Sequence, residues 1–149
     1  MITASLAYDE INPIALEPAI APHIAANNIA CEISAKYLAT QCDQVFQKNN
    51  DFTLIEGAGG CRVPLNATET LADLAVLLKI PVVLVVGLKL GCINHALLTF
   101  DAIKNDGLVV SGWVANQIDN NMAAVDENIE ALVQRLPCPF LGHIPFLNN

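Results

Sequence analysis

Asp51-Phe-Thr-Leu-Ile-Glu-Gly-Ala-Gly-Gly-Cys-Arg-Val-Pro-Leu65 decides how this chain is read. A short apolar run, Phe52 to Ile55, ends on an acid and then meets Gly57, Gly59 and Gly60. The run predicts a buried strand. A carboxylate at the carboxyl end of such a strand, followed by backbone with little side-chain bulk, is how open α/β sheets present a ligand site. Glu56 has two readings: a ligand to a metal or water, or a carboxylate satisfied by the amides of a tight turn. The glycines admit a ligand close to the backbone, or serve only the turn.

On the amino-terminal side, breakers at Pro13, Pro18 and Pro22 predict an irregular arm and a short turn. Apolar residues Ile29, Ile33, Tyr37 or Leu38, Cys42 and Val45 then recur near helical spacing. They predict one helix from about Ile29 to Gln47, stopped by Asn49-Asn50. On the carboxyl side, Thr68 or Thr70 caps a helix whose stripe is Leu71, Leu74, Ala75 and Leu78. Pro81-Val-Val-Leu-Val-Val-Gly87 is the clearest strand. It does not alternate, which predicts a parallel strand covered on both faces. A helix over Asn94–Asn105 ending at Gly107, a strand over Leu108–Asn116, a helix over Asn120–Leu136 and a strand from Phe140 complete the series. Strands alternating with helices predict an α/β fold with a parallel sheet and right-handed crossovers.

Composition narrows the class. The chain has 149 residues, the size of a single domain, 54 % hydrophobic and 15 % charged. Its net charge of -8, with no basic run, argues against nucleic acid and anionic membranes as partners. The longest strongly apolar run, Ile80 to Leu88, is too short to span a bilayer. Cysteines at 31, 42, 61, 92 and 138 form no C-x-x-C pair, so reduced thiols in a cytoplasmic protein are expected.

In a parallel sheet all carboxyl ends face one side. That expectation lines up Glu56–Gly60, Gly87–Asn94, Asn116–Asp119 and Gly142–Leu147 along one rim. Gly87-Leu-Lys-Leu-Gly-Cys-Ile-Asn-His95 leads from strand to helix, where free amides can hold a carboxylate or phosphate. Lys89 could add a cation or be a solvated loop lysine, and Asn94 could be only an N-cap. His95, disfavoured in its charged form by the helix dipole, reads as a polar helix histidine rather than a base. Asn116 could read a base edge or close a turn. Gly142-His-Ile-Pro145-Phe-Leu147 offers carbonyls and apolar walls for a flat ring, or is a frayed tail. No G-x-x-x-x-G-K-[ST] loop occurs in these residues.

Leu54-Ile-Glu-Gly-Ala-Gly-Gly60, Pro81 through Leu98, Gly112-Trp-Val-Ala-Asn116 and Gly142-His-Ile-Pro145 together resemble dethiobiotin synthetases, over about Asn12 to Leu147. The resemblance implies a Rossmann-like, three-layer P-loop NTPase-like fold. It implies ATP- and Mg2+-dependent closure of a ureido ring on 7,8-diaminononanoate with carbon dioxide, in homodimers with sites at the interface. It makes Glu56 the acidic magnesium ligand, and Gly91, Cys92, Ile93 and Asn94 the helix start that holds the substrate's distal carboxylate. Asn116 becomes the adenine-reading asparagine, with Gly142, Ile144, Pro145, Phe146 and Leu147 the segment around adenine. Pro22 and His23 match a helix start near the substrate.

Family members begin with a strand, a P-loop, a helix and a second strand bearing the catalytic lysine and an aspartate that binds magnesium. None of that pattern is found in these residues. The resemblance therefore covers the carboxyl-terminal two-thirds of an enzyme, with Met1 expected to be an internal methionine of a longer frame. The chain by itself is expected to lack synthetase activity, because the transferring phosphoryl group has neither clamp nor cradle. The competing expectation is a non-catalytic ligand-binding module of the same fold.

Overall fold

Among residues 5–147, which the computed structural model describes, the regular elements of the first of two units, Met1–Leu78, are all helices. They are α1 (Tyr8–Ile11), α2 (Pro22–Asn28), α3 (Ala35–Phe46) and α4 (Leu71–Leu78). Pro22 stands at the start of α2, where its fixed φ suits a first turn and its missing N–H costs nothing. The helix expected over 29–47 is shorter, running only over Ala35–Phe46, and residues 29–34 are not helical. Ala30, at φ 51°, turns the chain out of right-handed geometry, and Ser34 restarts it by accepting the Tyr37 N–H on Oγ at 3.2 Å. Ile33, between the helices, is buried, while Ile29 is exposed. Ala26, Ile33, Ala35, Leu65 and Leu74 form the core of this unit.

Two side chains tie the parts of that core together. Asn66 Nδ2 donates to Ile33 O at 2.9 Å and to Glu69 Oε2 at 2.6 Å, while Asn66 Oδ1 accepts the Thr68 and Glu69 amides, each at 2.9 Å. Glu69 Oε2 also accepts the Ala35 N–H at 3.2 Å, placing a carboxylate at the start of α3, where the helix dipole favours it. At α4, Asp73 takes the Thr70 backbone N–H at 2.6 Å and its hydroxyl at 2.9 Å. Both bonds hold the Asp73 carboxyl below its ordinary pKa.

The strand expected at Phe52–Ile55 is absent. The segment has no regular secondary structure and belongs to no sheet, and Phe52 and Leu54 are 81 % and 74 % exposed. A strand exists only through the neighbour that completes its hydrogen bonds, and none of the described strands pairs with this segment.

The second unit, Lys79–Asn149, is built on a sheet. Strands β1 (Val82–Leu88), β2 (Val110–Gln117) and β3 (Phe140–Ile144) lie parallel in that order. Helix α5 (Cys92–Asn105) connects the first two, and α6 (Val125–Val133) the second pair. Leu84, Val86 and Leu88 share a core with Trp113, Ala115, Cys92, Ala96, Phe100, Leu132 and Leu136. Trp113 is fully buried, its ring 4.6 Å from that of Phe140.

Two expectations change here. β1 is covered on one face only: Leu84, Val86 and Leu88 are buried, whereas Val83 and Val85 are 44 % and 58 % exposed. The unbroken β-branched run marks a strand suited to burial on both sides, but α5 and α6 supply residues to one core, against one face. The last helix is also shorter than the expected Asn120–Leu136. Asp119 accepts the Asn121 N–H on Oδ1 at 2.9 Å, and Ala124 at φ 55° turns the chain once more before α6 begins.

Candidate functional site

Because β1, β2 and β3 run parallel, the segments after them emerge at one edge of the sheet. That edge brings together Lys89–Asn94, Asn116 and Gly142–Leu147. The register sets Gly87 opposite Asn116, and Asn116 opposite Ile144. Glu56 belongs to the other unit and is described by itself.

The most distinctive feature of the edge is the start of α5. Gly91 is its N-cap at φ 90°, a left-handed conformation that glycine adopts without strain, and it offers no side chain to cap the helix. The Cys92 N–H bonds Lys89 O at 3.0 Å and the His95 N–H bonds Gly91 O at 3.1 Å. Between them, the Ile93 and Asn94 amides have no acceptor among the described residues. The first turn of α5 contains no acid. Such a terminus presents donors and positive dipole to an anion.

The other long-helix starts are differently equipped. At α4 the Leu71 and Ala72 amides are taken by Val63 O and Cys61 O, both at 2.9 Å. At α6, Asp126 and Glu127 already supply negative charge. Asn94, for which an N-cap was one reading, is the third residue of α5, with Gly91 in the capping place. His95 is exposed, as expected of a polar helix histidine, and Lys89 is exposed without a carboxylate partner among the described residues.

Asn116, near the end of β2, is half-buried, and its side-chain amide bonds no other described residue. A carboxamide held on a rigid strand with both polar atoms unused suits recognition of a donor–acceptor pair. Beyond β3, Ile144, Phe146 and Leu147 are 45 %, 37 % and 70 % exposed, and with Pro145 they form an apolar segment.

Glu56 is exposed and makes no hydrogen bond with another described residue, so the turn-amide reading of this carboxylate is not what is found. The turn is made by Gly59 and Gly60, at φ 80° and 130°. Among the described residues no cluster of three metal-ligating side chains occurs. Magnesium is commonly held by one or two carboxylates with waters and phosphate oxygens, so a lone free carboxylate fits it as one ligand and not as a cage. Pro22 begins α2, and His23, partly buried, has an Nδ1 with no partner.

Two groups of residues were not singled out by sequence patterns. Asn66 and Glu69 join segments more than thirty residues apart. Asn128 on α6 approaches Cys92 with Oδ1 3.9 Å from Sγ. Neither has a local signature, since each works through a partner distant in the chain. No disulfide joins Cys31, Cys42, Cys92 or Cys138, and burial raises the Cys42 and Cys138 thiol pKa values. No helix of the described residues is long and apolar enough to cross a membrane.

Comparison with known proteins gives a family and relatives. A family model described as an AAA domain matches residues 1–149. The ATP-dependent dethiobiotin synthetase BioD of Cellvibrio japonicus is 58 % identical over 146 residues, covering 98 % of this chain and 64 % of its own length. Those of Pseudomonas paraeruginosa and Pseudomonas aeruginosa are each 54 % identical, over 96 % and 97 % of this chain and 63 % and 64 % of theirs. The chain thus spans less than two thirds of the length of these relatives. The match over residues 1–149 shows that the chain belongs to the AAA domain family, and it is similar to ATP-dependent dethiobiotin synthetases.

Proposed function

We propose that this chain carries the substrate-tail, adenine and magnesium-facing parts of an ATP-dependent dethiobiotin synthetase. Such an enzyme closes the ureido ring on 7,8-diaminononanoate with carbon dioxide. The observation that carries the reading is the start of α5, where the Ile93 and Asn94 amides stand open behind a glycine cap. They hold the distal carboxylate of the diamine, fixing the end opposite the reacting amines. Charge and dipole favour that end, and the long aliphatic tail then measures the distance to the chemistry.

Asn116 offers its carboxamide to the adenine edge, where one acceptor and one donor pair in the plane of the base. Gly142, Ile144, Pro145, Phe146 and Leu147 provide the surrounding wall, desolvating the ring. Glu56 supplies one oxygen to Mg2+. When bound, the ion neutralises phosphate charge. Within the dethiobiotin synthetase pattern the α5 start serves the partner subunit's substrate, so the working form is a homodimer in the cytoplasm. These 149 residues contain no glycine-rich lysine loop, so the chain tested by itself binds without turnover.

Calorimetric titration of the 149-residue chain with 7,8-diaminononanoate and, separately, with ATP–Mg2+ tests the reading. Binding of the diamine without dethiobiotin formation is expected. Failure to bind either ligand overturns the synthetase reading, while dethiobiotin formation at rates near those of a complete relative overturns the inactivity.

A further inference from the structure

The first turn of α5 has a weakness built into it. Its cap, Gly91, is the most permissive residue available and contributes no side-chain bond. Two amides that are to hold a ligand must nevertheless keep a fixed direction, because affinity falls when binding itself has to order them. Something outside the turn must hold it.

We propose that Asn128 is the positioning residue for this turn, acting through Cys92. The inference rests on the reading of the α5 start as a carboxylate site. Cys92 is the first residue of α5 and is 3 % exposed. Its Sγ lies 3.9 Å from Asn128 Oδ1, within reach of a weak S–H···O bond. The Asn128 amide is itself oriented, because Nδ2 donates to Ala124 O at 2.7 Å. Ala124 is the N-cap of α6, at φ 55°, and it too lacks a capping side chain. One carboxamide therefore links the opening turns of the two helices that follow β1 and β2. With its nitrogen committed to Ala124, its oxygen faces the thiol and restricts Cys92 to one side-chain orientation. That restriction passes to the backbone of Ile93 and Asn94. Asn128 is also the uncharged member of a turn whose other polar residues, Asp126 and Glu127, are acids. A carboxylate at position 128 would repel the anion that the neighbouring turn is to hold.

The test is an amide NMR titration of the whole chain with 7,8-diaminononanoate and with its methyl ester, which keeps the tail and loses the charge. The unsubstituted chain is expected to bind the acid more tightly than the ester, with shifts at Ile93 and Asn94. Asn128→Ala is expected to weaken the acid by about three- to fivefold, the scale of one modest hydrogen bond, and to leave the ester unchanged. Cys92→Ala should give a similar loss, and the double variant no more than the larger single loss. Asn128→Asp, which is isosteric, should weaken the acid by more than about tenfold, and it carries the test if the alanine variant does not fold.

An Asn128→Ala chain that discriminates acid from ester as well as the unsubstituted one overturns the role of Asn128 and leaves the carboxylate site standing. Equal weakening of acid and ester, or independent losses in the double variant, also overturns it, since a general structural defect or a separate action would then explain the data. An unsubstituted chain that does not distinguish acid from ester overturns the carboxylate site, and the role of Asn128 falls with it.

Discussion

The two units hold themselves together by different means. In Lys79–Asn149 the backbone does most of the work: three parallel strands satisfy one another, and Trp113, Leu88 and Leu132 are sealed beneath two helices. In Met1–Leu78 the expected strand Phe52–Ile55 belongs to no sheet, and side chains take over. Asn66 and Glu69 bond the backbone at Ile33 and Ala35 and so assemble short helices. The contrast shows that an apolar run becomes a strand only when a neighbour completes its ladder. Val82–Leu88 has that neighbour in β2, and Phe52–Ile55 has none among the described residues.

Substitutions separate the two modes, and their effects should decrease in a definite order. Trp113→Ala removes the largest fully buried side chain, and we expect a loss of about 3–5 kcal/mol, read by denaturant unfolding with lost amide protection across β1 to β3. A loss below about 1 kcal/mol would show that the sheet stands without its aromatic core. Asn66→Ala leaves the Ile33 carbonyl and the Glu69 carboxylate short of a donor, with an expected cost of about 2 kcal/mol. Hydrogen exchange at the Ala35 amide should rise with it, and unchanged exchange would deny Asn66 its organising role.

Asp73→Ala is next, at about 1 kcal/mol, the usual worth of a helix-start bond. Because the folded Asp73 carboxyl has a lowered pKa, its contribution is full above the unfolded value and disappears as pH falls through the lower, folded one. The two proteins should therefore converge in thermal stability as the solution is acidified below about pH 4. A gap that stays constant with pH would remove the carboxylate from the account. The smallest effect is expected at Phe52→Ser and Leu54→Ser, below about 0.5 kcal/mol, since both side chains are already exposed. A loss above 1 kcal/mol at either position would mean that this segment is buried in solution.

Legibility differed in the same way. The Pro81–Gly87 run, the helix over Asn94–Asn105 and Gly107 as its stop were largely readable in place, because each is a local pattern with a local consequence. Three of the four rim segments, those around Gly91, Asn116 and Gly142, follow directly from strands that order alone made parallel. The N-cap alternative left open for Asn94 falls because Gly91 at φ 90° takes that place, and composition does not separate glycine from asparagine as a helix start. The 29–47 helix was misread because helical spacing continues across Ala30, while the chain leaves the helix there.

The amino-acid sequence by itself determined the parallel α/β class and the family, and it nominated the residues proposed for an anion and a base edge. Those are properties of short contiguous stretches: β-branched runs, glycine before a helix, an asparagine at a strand's end. Tertiary structure alone decided that Phe52–Ile55 is not a strand, that β1 is covered on one face, and that Asn66, Glu69 and Asn128 matter. Asn66, Glu69 and Asn128 act through partners thirty or more residues away, and the other two outcomes turn on which neighbours are present in space, which no local pattern carries.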